Sequence, residues 1–444
     1  MRLNFEGVFM KFIVSLLLAG FSLSLFAQDA QQVISDKADA IEPKVIEWRR
    51  HLHQNPELSN REFETSKYIE QHLRDLGLEI QTGVAHTGIV AILKGGKPGP
   101  VVALRADMDA LPIKERNDLP FKSTAIGEYM GNEVPVMHAC GHDTHVAMLM
   151  GVAEILTGMK DEIPGTVKFL FQPAEEGSPP GEEGGAELMV KENALKNPDV
   201  DVIFGLHIWA GINIGEIGIK SEGLMASVDD FKITIKGKGA HGSTPWLSVD
   251  PVVTAAQIVN SLQTIVSRSM PLTQQASVVS VGAIHGGVRS NIIPEEVEML
   301  GTIRALDEND RKNIAKQVRE KAELIAKSMG ATAVVEVPYS SSLPVTYNDP
   351  GLTAAMMPTL ENVIGKDKIH IVNPVTGAED FSIFANEVPG MFFFLGGKPI
   401  DTPLSEVGPH HTADFYVDEA GMKTGVKALS QLALDYLNKY QDAH

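Results

Sequence analysis

Met137 to His145 read MHACGHDTH, a stretch of nine residues holding three histidines, one cysteine and one aspartate. Cys140 and His142 stand at i and i+2, so in an extended loop both side chains leave the same side of the chain. A thiolate and an imidazole so placed suit a transition-type metal ion. Upstream, the apolar run Val101–Ala106 leads into Asp107-Met108-Asp109, again two donors at i and i+2, which emerge together beyond the carboxyl end of a strand. Val167–Phe171 is followed by QPAEEG, with Glu175 and Glu176 adjacent. Neighbours on an extended chain point to opposite sides, so these two acids have different tasks. Two carboxylates beside an apolar strand repel unless a cation lies between them, so one can bind metal while the other moves protons. His207 closes another apolar run, Val202–His207. A lone cysteine is ordinarily inert packing, and a lone histidine at a strand end is ordinarily a hydrogen-bonded core residue. Several donor-bearing segments, each at a strand end, point instead to a metal centre.

The elements that must position these donors follow from hydrophobic periodicity. Gly88–Leu93 and Pro100–Ala106 are strand-like runs, and Val167–Phe171 and Val202–His207 are continuous rather than alternating, as in strands buried on both faces. They alternate with helical segments: one opening at Pro43, one after Ser59-Asn60-Arg61-Glu62 read as a capping box, and one over about Asp143–Met159. This is the pattern of an α/β sheet covered by helices. From about Ser227 the order changes to strand, helix, strand, strand, helix, strand, ending near Val337, the ferredoxin-like βαββαβ unit. The reading is a catalytic domain over 28–226 and 339–444 interrupted by an inserted domain over 227–338. That insert carries His241 in the glycine-rich KGKGAHGSTPW, Asn291 in GGVRSNIIP, and Arg304. TGAEDF (376–381) and GPHHTADF (408–415), with His410 and His411, lie beyond it.

A chain of 444 residues is long enough for two cored domains. Hydrophobic residues at 43% and charged residues at 21% are ordinary for a globular protein. A net charge of −19 argues against nucleic acid or an anionic membrane surface as the main partner. Ile13–Ala27, IVSLLLAGFSLSLFA, is too short to favour a membrane span and reads as the apolar core of a leader over 1–27, giving an exported, periplasmic or secreted protein with no stable membrane insertion after cleavage. The flanks read best with a start at Met10. No cysteine follows Leu18-Ala19-Gly20, so there is no lipobox, and the single Cys140 can form no internal disulfide.

The set RADMDALP, MHACGHDTH, QPAEEG, GLH, GKGAHGS, SNIIP, GTIR and GAEDF resembles the M20 family of metallopeptidases and amidohydrolases, in the branch of hippurate hydrolases, aminoacylases and indole-acetyl-amino-acid hydrolases. The likeness runs from about Trp48 to Val417, in the family's order. It implies a zinc-exopeptidase-like catalytic domain with an inserted lid and dimerisation domain, and two divalent ions per subunit, zinc or manganese. It also implies Cys140, His142, Glu176 and His207 as ligands, with the last from His410 or His411; His411 fits the family's spacing better, although Ala413 stands where the family has proline. Asp109 matches an acid that orients a ligand imidazole. Glu175 matches the general base, which takes a proton from the attacking water and passes it to the leaving amine. His241 matches a residue that polarises the scissile carbonyl, typically supplied by the partner subunit. Asn291 and Arg304 match substrate-holding groups, the latter through a carboxylate. The activity implied is hydrolysis of N-acyl amino acids or related small conjugates. A dipeptidase or carboxypeptidase with the same site is the alternative within enzymes, and a non-catalytic metal- or solute-binding protein the alternative outside them.

Overall fold

Apolar runs without alternation become the inner strands of one large sheet. In the computed structural model, residues 5–443 are described, with side chains from 30 to 442, so the side chains of the leader expected over 1–27 lie outside the described residues. The first part of the chain forms α1 (Phe5–Gln54), α2 (Phe63–Asp75), β1 (Glu79–Val84), β2 (Gly88–Lys94), β3 (Lys97–Asp107), the hairpin β4 (Ile126–Tyr129) and β5 (Asn132–Pro135), α3 (His142–Thr157), β6 (Pro164–Gln172), α4 (Gly185–Lys191), β7 (Val202–Asn213) and β8 (Ile217–Ile219). There follow β9 (Glu222–Met225), β10 (Ser227–Lys236), β11 (Ala240–His241), α5 (Pro251–Ser269), β12 (Ser277–His285), β13 (Ile292–Ile293), β14 (Glu296–Ala305), α6 (Glu308–Ser328) and β15 (Thr332–Glu336). The chain ends with β16 (Ser342–Leu343), β17 (Thr346–Asn348), α7 (Pro350–Ile364), β18 (Ile369–Ile371), α8 (Phe381–Glu387), β19 (Gly390–Lys398) and α9 (Met422–Tyr440).

Two compact units result: Met1–Gly218 with Ala354–His370 and Phe393–His444, and Ile219–Thr353 with Ile371–Phe392. The first carries a mixed eight-stranded sheet in the order β1-β2-β6-β3-β7-β19-β8-β18. Its centre is parallel, with β3 between β6 and β7, and β1–β2–β6 run antiparallel. Helix α3, buried along nearly its whole length, packs against α1, α9 and β3. The second unit holds β12-β14-β10-β15, all antiparallel, with β16 beside β10. Phe231, Ile233 and Ile235 alternate along β10 into a core shared with Ile258 and Leu262 of α5 and Ile314 and Val318 of α6. Asp250 and Asp307 cap those helices by accepting from backbone N–H groups. Among the described residues no helix is long and apolar enough to cross a membrane.

Two local expectations fail. Pro43 lies inside α1 rather than at a helix start; packing against α3 and α9 carries the helix past its missing hydrogen bond. The Ser59–Glu62 capping box does not form, since α2 starts at Phe63 and Glu62 makes no cap. The carboxylate of Glu57 accepts from Thr65 N at 2.8 Å and Glu64 N at 3.2 Å instead, which leaves Ser59 and Glu62 for the site.

Candidate active site

The three neighbouring parallel strands β6, β3 and β7 end on one side of the sheet, with Asp107 in register with Gln172 and Arg105 with Gly205. Chain leaving those ends carries Asp109, Glu175 and Glu176, and β7 carries His207. The carboxylate of Asp109 accepts from Glu175 N at 3.1 Å, Glu176 N at 3.0 Å and Ser59 Oγ at 2.7 Å. Glu62 accepts from the preceding amide, Ala174 N, at 2.9 Å and from Thr87 Oγ1 at 2.7 Å. Three successive N–H groups are thus held by two buried carboxylates, and Ala174 takes φ +52°, a left-handed conformation kept by these contacts. Burial and the neighbouring Asp109 push the Glu62 carboxyl up to about 8.

The imidazoles come from the other side. Gly141 (φ +100°) lets the chain turn into α3 where a Cβ would lie 2.4 Å from Ile208 Cγ2. His142 directs Nδ1 at Asp109, 2.9 Å from its carbonyl and 3.3 Å from Oδ1. Nδ1 therefore donates, and the buried Nε2 has no hydrogen-bond partner among the described residues. Around it stand Asp107 Oδ2 at 3.7 Å, Glu175 Oε2 at 3.7 Å and Glu176 Oε1 at 4.0 Å, spacings too long for hydrogen bonds. His207 Nδ1 donates to Ile208 O at 2.6 Å, and its Nε2 lies 3.3 Å from Cys140 Sγ. His411 Nε2 is 3.2 Å from the same sulfur and 3.1 Å from Glu176 Oε1. His410 is occupied otherwise: Nε2 accepts from Ala210 N at 3.1 Å and Nδ1 faces Cys140 O at 3.2 Å. Of the two, His411 presents its ring nitrogen to the thiol and the carboxylate.

Burial disfavours a charged His142, yet the carboxylates of Asp107, Asp109 and Glu176 hold its pKa up at about 10. Burial, then the charges of Glu176 and Glu175, push the Cys140 thiol well up, and burial pushes His207 well down and His410 to about 3. A buried imidazole nitrogen without a partner, facing carboxylates it cannot reach and a thiol in their field, is a donor set that a cation completes. Donor atoms within 4.8 Å of one another form the groups Cys140–His142–His207 and Cys140–Glu176–His411. The residues present fit divalent metal ions.

Residues 103–435 match the model of peptidase family M20/M25/M40. The chain belongs to that family. It is therefore a hydrolase of amide bonds, and it is similar over nearly its whole length to proteins of known kind. Thermostable carboxypeptidase 2 of Saccharolobus solfataricus is 41% identical over 93% of this chain and all of that protein. N-acetylcysteine deacetylase of Bacillus subtilis is 38% identical over 90% of this chain and 98% of its own. The crystal structure of the Bacillus subtilis YXEP protein, described as a dinuclear metal binding peptidase from the M20 family, aligns with TM-score 0.74 at 33% identity over 90% of this chain and 99% of that one.

In this M20-family chain one layer of the site went unassigned from sequence. Arg105 Nη1 donates to Asp107 Oδ2 at 2.7 Å, and Asp107 Oδ1 lies 2.5 Å from His145 Nδ1. His145 Nε2 accepts from Ile208 N at 2.8 Å, so Nδ1 carries the hydrogen and the backbone beside His207 is fixed. The signal lay in both motifs, since Asp107 is two residues before Asp109 and His145 one turn after His142. The remaining expected residues belong to the second unit. β11 pairs with β13, which sets His241 opposite Ile292 and joins Gly242 N to Asn291 O at 2.9 Å. The exposed His241 ring accepts from Ser243 N at Nδ1, 3.1 Å, leaving Nε2 as its donating nitrogen. Arg304, half-buried on β14, donates to Thr302 Oγ1 and Ile303 O.

Proposed function

We propose that this member of the M20 family cleaves the amide bond of N-acyl amino acids and related small conjugates. The observation that carries the reading is a second carboxylate, Glu175, beside the donors Cys140, His142, Glu176, His207 and His411. Cys140, His142, Glu176, His207 and His411 would hold the divalent ions. When bound, the ions supply Lewis-acid polarisation of the scissile carbonyl and a water acidic enough to ionise near neutral pH. Glu175 accepts the proton of the attacking water and returns it to the leaving amine. Asp109 keeps His142 Nε2 aimed at the cluster and holds the amides of Glu175 and Glu176, which fixes the two carboxylates relative to each other. His241 Nε2–H donates to the oxygen on which charge develops. Arg304 pairs with the substrate carboxylate and Asn291 helps hold the substrate.

Zinc suits the thiolate, and manganese suits the carboxylates. The relatives support both N-acyl-amino-acid and carboxypeptidase chemistry, and the second reading rests on thermostable carboxypeptidase 2. We further infer a homodimer through the second unit, which takes support from β12, an outer strand of its sheet. Export is supported by the apolar run Ile13–Ala27. The test is a hydrolysis screen of N-acetyl and N-benzoyl amino acids beside dipeptides, with Zn²⁺ or Mn²⁺ added. Release of amino acid from the acyl substrates supports the reading. Cleavage of peptides alone assigns the carboxypeptidase alternative, and no turnover of either by metal-loaded protein overturns both.

A further inference from the structure

A cleft of about 620 Å³ opens beside Glu176, within the roughly 300–1,000 Å³ of small-molecule sites. Its wall continues the chain of the donor cluster on two sides: Ala110 and Leu111 follow Asp109, and Gly177 follows Glu176. The far wall is the β4–β5 hairpin, whose base is fixed where Gly127 packs on Leu58 and Val136. Apolar side chains are exposed here, Phe63 at 52%, Ile126 at 62% and Met130 at 69%, which is unusual for so many large groups around one concavity. Away from the donor cluster the charges on the wall are acidic, Glu57 and Glu128. Arg61, its one basic residue, is engaged by Glu182 at 2.6 Å and by Asn60 O at 2.9 Å.

We infer that this cleft receives the acyl half of the substrate and sets a preference for long apolar acyl groups over acetyl; the inference rests on the amidohydrolase reading above. The two halves of an N-acyl amino acid differ in charge. An acidic wall whose only guanidinium is taken repels the half that bears the carboxylate and admits the uncharged one. The scissile carbonyl then stays at the donor cluster while the chain beyond it lies along Leu58, Ile126 and Met130.

The test is kcat/KM for N-acetyl, N-butanoyl, N-hexanoyl and N-decanoyl derivatives of one amino acid, at one metal loading. The expected rise is on the order of three- to fourfold per methylene that becomes buried. Ile126→Asp and Met130→Asp, at exposed hairpin positions, should each lower the decanoyl-to-acetyl ratio by about tenfold or more, with thermal unfolding followed to confirm folding. A flat series in the wild type, or an unchanged ratio in both variants, overturns the assignment while leaving the amidohydrolase reading intact. If no acyl length is hydrolysed while dipeptides are, the reading and the assignment fall together.

Discussion

At Cys140 the sulfur lies 3.3 Å from His207 Nε2 and 3.2 Å from His411 Nε2, in a field of carboxylates that keeps the thiol protonated until a cation arrives. Binding must expel that proton and the one on His142, held at about 10, so metal affinity should rise with pH between about 6 and 8. Cys140→Ser replaces a thiolate with a much poorer ligand and should lower metal content after gel filtration. Unchanged stoichiometry and affinity by elemental analysis would return Cys140 to inert packing. Glu175→Gln should keep metal content and lose roughly two to four orders of magnitude in kcat. A variant with near wild-type turnover would show that the proton moves through another group.

The helices depend on buried charge at one junction. Arg49 of α1 donates to Asp143 in the first turn of α3 at 2.8 Å, and His53 lies 2.8 Å from the same oxygen. Burial would raise the Asp143 carboxyl, but Arg49 and His53 hold it well below the usual carboxylate range. A group whose folded pKa is depressed stabilises fully above its unfolded value of about 4 and loses that contribution as pH falls from there through the depressed folded value. Arg49→Met leaves the carboxylate buried with one partner fewer and should cost about 3–5 kcal/mol at neutral pH. The deficit, read by urea unfolding, should shrink below about pH 4, where Asp143 can protonate in the unfolded chain. An equal deficit at pH 7 and pH 3.5 would mean that packing, not charge, is what Arg49 supplies. None of this pairing was legible locally, because Arg49 and Asp143 are 94 residues apart. The failed capping box has the same cause: Glu62 is drawn to Ala174, 112 residues away, and tertiary demand outweighs a cap of about 1 kcal/mol.

For the whole molecule the assembly of the catalytic set is tested at His241. His241→Ala should be folded, metal-replete and nearly inactive, having lost a donor worth a few kcal/mol in the transition state. Mixed with Glu175→Ala under conditions of subunit exchange, it should regain activity, since each mixed dimer has one site with Glu175 in its own chain and His241 from the neighbour. No recovery despite demonstrated heterodimers would show that His241 acts within its own subunit or not at all.

By itself the sequence determined which segments bring donors to strand ends. Continuous apolar runs bounded by turn residues suit inner strands, and the spacing in RADMD puts two side chains on one side of an extended chain; in CGH the structure instead turns at Gly141 (φ +100°) and opens a helix at His142. The sequence also determined the βαββαβ order of the second unit, because alternation at period two and at 3.6 is a local property. Spacing only favoured His411 over His410, and the tertiary structure shows where each ring points. Their neighbours in sequence are nearly the same, but Ala210 N and Cys140 O take both nitrogens of one ring, while φ +61° swings the other toward Cys140 and Glu176. The tertiary structure alone joined Asp107 to His145, whose places in the motifs were visible but whose contact was not, and opened the cleft beside Glu176, since each is made by chain segments that meet across the fold.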